Sequence, residues 1–471
     1  MSPKSKAKST VKSPAKSKVP PKKPAPSGTV SSIGDRIRVR MYRQGLGDCF
    51  LVSLPRPGGQ PFYLMIDCGV ILGTPDPGPM MQKVVQDIID TTGGHVDVLA
   101  VTHEHWDHVS GFLQAKDLFT SKLKFDEVWL AWTEDPKDDL ANQLRSQHQA
   151  LRVALAGAAV RMGVAGNLSA AQEVTSMLEF FGAAGSGTTT DALDVVKGLS
   201  KNIRFCRPTD PPIDLEDGKV RVYVLGPPHD IKMIKKVNPS SAHPETYGLA
   251  AAEQFLGAVG PALSESDPGA PFDRSYQVPY PAAQQMSFFQ SHYWGEQIGG
   301  TEKDQSWRRI DGAWLDSATT LALQLDSATN NTSLALALEL VDTGDIIIFA
   351  ADAQVGNWLS WQDLSWNIDG KKTTGPDVLS RTRIYKAGHH GSHNATLNEK
   401  GLEMMTGLEI VLIPVDHAMA LKKRWGNMPL PQLIDRMTEL TKGRILRIDQ
   451  PAPPELKDRT RERPLYYEVG L

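Results

Sequence analysis

At 471 residues, with 40% hydrophobic and 22% charged side chains, the chain has the composition of a globular protein with a sizeable core rather than of a disordered or fibrous one. No stretch approaches the ~18 apolar residues that a membrane span needs, the N-terminus lacks the apolar core of a signal peptide, and Cys49, Cys68 and Cys206 are too few for a disulfide framework; a reducing, cytoplasmic setting without a membrane partner is expected. The net charge of −3 combines eight lysines and no acid in residues 1–30 with −11 on residues 31–471, and so acidic a body speaks against a broad basic groove for duplex nucleic acid, though not against a local patch.

Residues 1–30 are mostly Lys, Ser, Pro and Ala, a composition that cannot bury enough surface to offset its ordering entropy, and a disordered tail is expected there. It could tether a polyanion or simply solubilise the chain. Residues 31–471 read as one domain. The alternation of Ile37, Val39 and Met41 with basic residues predicts a strand, and after the Gly45-Leu46-Gly47-Asp48 turn Cys49–Leu54 reads as its hairpin partner. A third strand, Phe62–Ile66, delivers Asp67-Cys68-Gly69. A helix around Met81–Thr91 precedes the apolar run Val96–Val101, and this alternation of strands and helices predicts an α/β fold.

Directly after that run stands His103-Glu104-His105-Trp106-Asp107-His108, with four potential metal ligands in six residues. Side chains alternate along an extended segment, so His103 and His105 project to one side and can share an ion, while Asp107 and His108 reach a second as the chain turns. A lone histidine is usually a satisfied structural residue, but this cluster after a buried strand is hard to explain that way. Another strand is expected over Phe125–Leu130. An insertion at about 133–200 has helical periodicity in three pieces, roughly Leu140–Met162, Ala170–Phe181 and Asp191–Ser200. The strand pattern resumes at Val220–Leu225. A second insertion, about 230–325, is weakly patterned and reads as an irregular cover.

Strands are expected again at Ser333–Leu340 and Asp345–Ala350, joined by a Thr343-Gly344 turn, with the second buried on both faces. A final unit holds Arg383–Lys386, the cluster Gly388-His389-His390-Gly391-Ser392, a strand Ile410–Ile413 and a helix from about Leu430 to Thr441. Asp352 and His389-His390 thus also follow predicted strands. If the three strand ends share one edge, their ligands converge on two divalent ions, zinc or alternatively manganese, whose chemistry is hydrolysis by activated water. Asp67 either orients that site or caps a turn, and the two need not exclude each other.

Thr102-His103-Glu104-His105-Trp106-Asp107-His108 resembles the HxHxDH signature of the metallo-β-lactamase superfamily. Gln44–Asp48, Ile66–Gly69, Leu225–Pro228, Asn330–Leu334, Ala351–Ala353 and Lys386–Ser392 together resemble the hydrolase domain of the ComEC family of DNA-uptake proteins. Trp425–Pro429 resembles that family's closing Gly-His-Pro element, with Asn427 where histidine is usual.

The resemblance implies an αββα sandwich with helical and irregular insertions. It also implies that His103 and His105 bind the first metal, Asp107 and His108 the second, that Asp352 bridges, and that His390 ligates the second ion while His389 contacts substrate or donates a proton; the reverse roles for the two tandem histidines stay open. Asp107 can in addition orient the nucleophile. Where many members supply a further histidine to the first metal, the nearest candidate is His229, slightly late in the chain. The implied activity is that of a phosphodiesterase or nuclease acting on single-stranded nucleic acid or a nucleotide. A small substrate, such as a cyclic nucleotide, a phosphocholine ester or a lactone, is the nearest alternative, and a non-catalytic interaction protein on the same scaffold is a third.

Overall fold

The computed structural model describes residues 37–56, 59–164, 168–182, 187–236, 278, 280–295, 308, 315–392, 394–423, 425 and 428–471. The Lys-rich tail, residues 237–277 of the second insertion and Asn427 lie outside the described residues. The protein is mixed α/β, built on two large mixed sheets. The first contains β1 (Arg38–Tyr42), β2 (Cys49–Leu54), β3 (Phe62–Cys68), β4 (His95–Val101), β5 (Lys124–Ala131) and β6 (Ile203–Cys206). The second contains β7 (Ile213–Leu215), β8 (Val220–Gly226), β9 (Ala335–Leu340) and β10 (Ile346–Phe349). A separate hairpin, β11 (Ser365–Ile368) with β12 (Lys371–Thr374), precedes the rest of the second sheet, β13 (Thr382–Lys386), β14 (Ile410–Ile413) and β15 (Ile445–Arg447). The chain then returns to the first sheet through β16 (Thr460–Glu462) and β17 (Tyr466–Gly470), where β17 pairs antiparallel with β1.

Period-two patterning assigns each strand face. Val39 and Met41, Phe50 and Val52, Val98 and Ala100 from the first sheet join Val222, Leu336, Ile347, Phe349, Ile384 and Leu412 from the second in one shared core. The intervening residues turn outward onto helices. Leu51, Met65, Leu99 and Val101 meet Met81, Val84 and Ile88 of the helix Pro77–Thr92, together with Leu193 and Val196 of the helix Thr189–Gly198. Ile346, Ile348, Tyr385 and Val411 belong with Leu155 and Met162 of the helix Asp139–Val164 and Val174 of the helix Leu168–Leu178. That cluster also takes Ala318, Leu321, Ala322 and Leu325 of the helix Leu315–Asn330. The continuous run at 346–350 is buried on both faces as expected, because both neighbouring layers need apolar cover.

Two register facts bring distant segments together. β3 and β4 are parallel, with Ile66 opposite Ala100, so Asp67 and Thr102 leave the sheet side by side. β10 and β13 are also parallel, with Phe349 opposite Lys386, so Asp352 and the tandem histidines emerge at neighbouring ends. The Leu334 amide, just before β9, donates to the Thr102 carbonyl at 2.9 Å and ties the two ends to each other.

The second insertion corrects one expectation: 315–325, read as the end of an irregular cover, belongs to a 16-residue helix, Leu315–Asn330. Its Ala-, Ser- and Thr-rich surface carries a weak periodic signal, and burial of four apolar side chains from one face against the helices of the first insertion holds it in place. Among the described residues no helix is long and apolar enough to cross a membrane.

Candidate metal centre

His103 and His105 lie on the extended segment that follows β4, and a short helix, Trp106–Val109, then turns Asp107 and His108 back toward them. All four are buried, as are Asp352, His389 and His390. The backbone is strained where these side chains are aimed. Asp67, Ala351, His389 and His390 have φ of 54°, 48°, 42° and 53°, a left-handed region that costs a residue with a Cβ roughly 1–2 kcal/mol.

Hydrogen bonds fix the tautomers. The Pro414 carbonyl can only accept, so His390 donates from Nδ1 across 2.9 Å and turns the Nε2 lone pair inward. His108 Nδ1 faces Asp67 Oδ2 at 2.7 Å, and its Nε2 also points inward. Asp67 accepts in addition from the Thr102 amide at 2.8 Å and the Thr102 hydroxyl at 2.7 Å, so it both closes the turn and orients the histidine. Because the Thr102 hydroxyl gives its proton to Asp67, it accepts from His103 Nδ1 at 3.1 Å, which leaves the His103 Nε2 lone pair facing His105 Nδ1 at 3.1 Å.

The inward nitrogens face carboxylate oxygens, an arrangement satisfied either by a second proton on each imidazole or by a shared cation. His390 Nε2 is 3.0 Å from Asp107 Oδ2, and His108 Nε2 is 3.2 Å from Asp352 Oδ2. Asp352 Oδ2 is also 3.8 Å from His390 Nε2. Two donors at ordinary distance from one tetrahedral zinc stand about 3.4 Å apart, so these separations suit shared cations. Of the inward atoms, His108 Nε2, Asp107 Oδ1 and Asp352 Oδ2 are buried without a hydrogen-bond partner. Asp107, His108, Asp352 and His390 form one group of potential ligands, while His103, His105 and Asp352 form another. Asp352 belongs to both. With only the protein's own charges present, burial opposes a proton on His108, but the carboxylates of Asp352, Asp48 and Asp67 outweigh it and raise the imidazole well above its usual range. Burial drives His105 the other way, down to about 3.

Lys386, at the end of β13, completes the acidic side. Its ammonium lies 2.6 Å from Asp48 Oδ2, 3.3 Å from Asp352 Oδ1 and 2.9 Å from the Ala351 carbonyl. Asp352 thus has one oxygen held by a lysine and one free for cations. The Asp48 amide in turn donates to the Asp107 carbonyl, and Gly69 packs so closely there that an added Cβ would sit 2.3 Å from the Asp107 carbonyl carbon. Gly69→Ala is therefore expected to cost about 1–3 kcal/mol or more by overpacking, read as a lower urea midpoint with an unchanged denaturant slope.

Six of the sequence-selected ligands, His103, His105, Asp107, His108, Asp352 and His390, are brought together. His229 is not. Its Nε2 pairs with Asp138 at 2.9 Å, its ring lies against Trp132, and its side chain is 45% exposed, because the chain turns away after Gly226-Pro227-Pro228. His229 is thereby corrected from metal ligand to a surface hydrogen-bond partner of Asp138. His389 stands at the margin, with Nε2 3.9 Å from Asp352 Oδ2 and Nδ1 3.4 Å from the Gln354 amide nitrogen. Burial pushes it down to about 4, so at neutral pH it offers a neutral N–H or lone pair rather than a stored proton.

Asp48 and Lys386 were legible only as members of quoted motifs, with no role attached. Asp326, on the helix Leu315–Asn330, was missed altogether; its Oδ1 lies 3.7 Å from His105 Nε2. Burial, reinforced by Asp107 and Asp352, pushes it up to about 8. In a further group, exposed His95 and Asp126 are in contact at 3.0 Å, while buried Asp97 accepts from the Tyr63 amide and pairs with Arg56. No protein-family model matches the chain, and no curated protein matches it.

Proposed function

We propose that the protein is a metal-dependent phosphodiester hydrolase on an αββα sandwich of the metallo-β-lactamase type, resembling the ComEC hydrolase domain. The observation that carries this reading is the convergence of buried imidazoles and carboxylates from two sheets at separations suited to shared cations, with His108 Nε2, Asp107 Oδ1 and Asp352 Oδ2 lacking any hydrogen-bond partner. Two sheets sharing one core, with helices against the outer face of each, support the sandwich.

His103, His105 and Asp352 would hold one ion, and Asp107, His108, His390 and Asp352 the other. Zinc suits this imidazole and carboxylate set, and manganese is the alternative. When bound, two such ions supply water activated near neutral pH and offset charge on the attacked ester. The remaining work belongs to the chain itself. Asp67 and Pro414 hold His108 and His390 in the ligating tautomer. Lys386 neutralises one oxygen of Asp352, and His389, neutral at the margin, is positioned to hydrogen-bond a substrate oxygen. Phe180 and Phe181, with ring centroids 5.1 and 5.2 Å from that of His105, keep water from its outer edge.

The substrate class rests on the resemblance: a phosphodiester, as single-stranded nucleic acid or a nucleotide. The −11 charge of residues 31–471 favours the small end of that range, since long polyanions bind through basic surfaces. Three buried free thiols suit a reducing cytoplasm. A panel of single-stranded DNA, RNA, a cyclic dinucleotide, a bis-aryl phosphodiester and a lactone tests the reading. Turnover of at least one diester, abolished by His105→Ala, is expected; hydrolysis of the lactone alone would overturn the phosphodiester reading.

A further inference from the structure

Resting on the metal reading above, we propose that Asp326 is a positioning residue for the first ion: when the ion is bound, Asp326 Oδ1 closes from its 3.7 Å separation to accept the Nε2–H of His105 and so turns the Nδ1 lone pair of His105 onto that ion. The geometry separates the two edges of the His105 ring. Nδ1 lies 3.1 Å from the inward Nε2 of His103, the spacing of two donors on one cation. Nε2 points the opposite way, toward Asp326 Oδ1 at 3.7 Å, and neither of those buried atoms has a hydrogen-bond partner. A histidine that ligates through one nitrogen characteristically donates from the other to a carboxylate, which fixes the tautomer and raises ligand basicity. Asp326 fits that role better than direct ligation, because it belongs to neither group of atoms that close on the two ions.

The carboxylate is held for this purpose. Its other oxygen, Oδ2, accepts from the Asn330 side chain one turn further along the helix at 3.3 Å. Ala322, four residues before Asp326, and the adjacent Leu325 are buried against the helices of the first insertion. Beyond Asn330 the chain is pinned to the metal loop, since Asn331 Oδ1 accepts from the amides of Gln354 and Asn357 and Ser333 Oγ accepts from the amide of Asp352. The helix that carries Asp326 and the loop that carries Asp352 are thus coupled through one short segment. Among the described residues the first ion would have three protein ligands, His103, His105 and Asp352, the number that leaves a position open for water or substrate at a catalytic zinc.

The test uses the full chain, stripped by chelation and titrated with zinc against a chromophoric competitor. Wild type is expected to take two ions. Asp326→Ala is expected to weaken one of them by about 10–100-fold and leave the other within about twofold. Asp326→Asn should be intermediate and Asp326→Glu should recover most of the loss. Histidine nitrogen NMR of the zinc-loaded wild type should show His105 ligated at Nδ1 and protonated at Nε2. Equal affinities for both ions in Asp326→Ala, a uniform loss at both with a lower melting point, or ligation of His105 through Nε2 would each overturn the role of Asp326 while leaving the metal centre standing. A wild type that takes no zinc removes the metal reading and this role with it. If Asp326→Ala does not fold, the near-isosteric Asp326→Asn decides: a selective loss at one ion supports the role, and unchanged binding at both overturns it.

Discussion

Asp352→Ala is expected to lower phosphodiester turnover by about 10³-fold or more and to remove both ions together. Asp352 is the one side chain common to the two ligand groups, and its Oδ2 meets His108, His390 and His389 at 3.2, 3.8 and 3.9 Å. Metal-centred stabilisation of the attacked ester contributes several kcal/mol, and each 1.36 kcal/mol is about tenfold in rate, so three orders of magnitude follow from losing it. The same substitution leaves Lys386 with Asp48 as its only carboxylate, but the fold has other anchors and the purified variant should keep the circular dichroism of wild type. His95→Ala, at the exposed start of β4 and far from the histidine cluster, is the control and should leave turnover unchanged. A variant that keeps wild-type turnover without Asp352 would rule out the shared-ligand role.

Lys386→Met should instead strike stability. The ammonium is 1% exposed and lies between Asp48 and Asp352, each about as buried. Removing one partner of a buried ion pair leaves uncompensated charge and costs roughly 3–5 kcal/mol; here two carboxylates lose the same cation. Burial lowers the affinity of Lys386 for its proton, but Asp48 and Asp352 outweigh it and raise the pKa above the ordinary lysine value. A raised lysine contributes stability that is complete below its unfolded pKa of about 10.4 and is lost as pH rises through the higher folded value. The deficit of Lys386→Met should therefore hardly change between about pH 6 and 9. Urea unfolding at the two ends of that range measures it, and a deficit under about 1 kcal/mol would show that the pair is not the anchor described. Added zinc should recover part of the loss, because a cation at Asp352 relieves one of the two carboxylates.

Much of this site could be read from local pattern. His103 and His105 are two apart after an apolar run, so strand alternation alone puts them on one side, and they meet at 3.1 Å. Asp352 follows a continuous apolar run and His390 a short alternating one, and each run reads as a strand. What local pattern cannot supply is which strand ends are neighbours. The parallel pairing of β10 with β13 makes Lys386 a partner of Asp352, although in sequence it is simply a lysine closing a strand on the same face as Ile384.

His229 failed for the complementary reason: it stands near the end of β8, but the two prolines before it carry the chain outward to Asp138. Asp326 is invisible locally because its helix is held by neighbours rather than by a strong apolar stripe, and its partner His105 lies 221 positions earlier in the chain. β6, β7, β15 and β16 have three or four residues each, too few for a period-two signal, and β17 is recognisable only once β1 is seen to need a partner.

The central claim is that cations at this centre carry out the chemistry. The most direct measurement is the rate of bis-aryl phosphodiester hydrolysis by chelator-stripped protein as zinc or manganese is returned in known equivalents. Turnover should be absent from the stripped protein, rise with added metal and level off at two equivalents per chain. A stripped protein as active as the untreated one, or a rate indifferent to both metals, would contradict it.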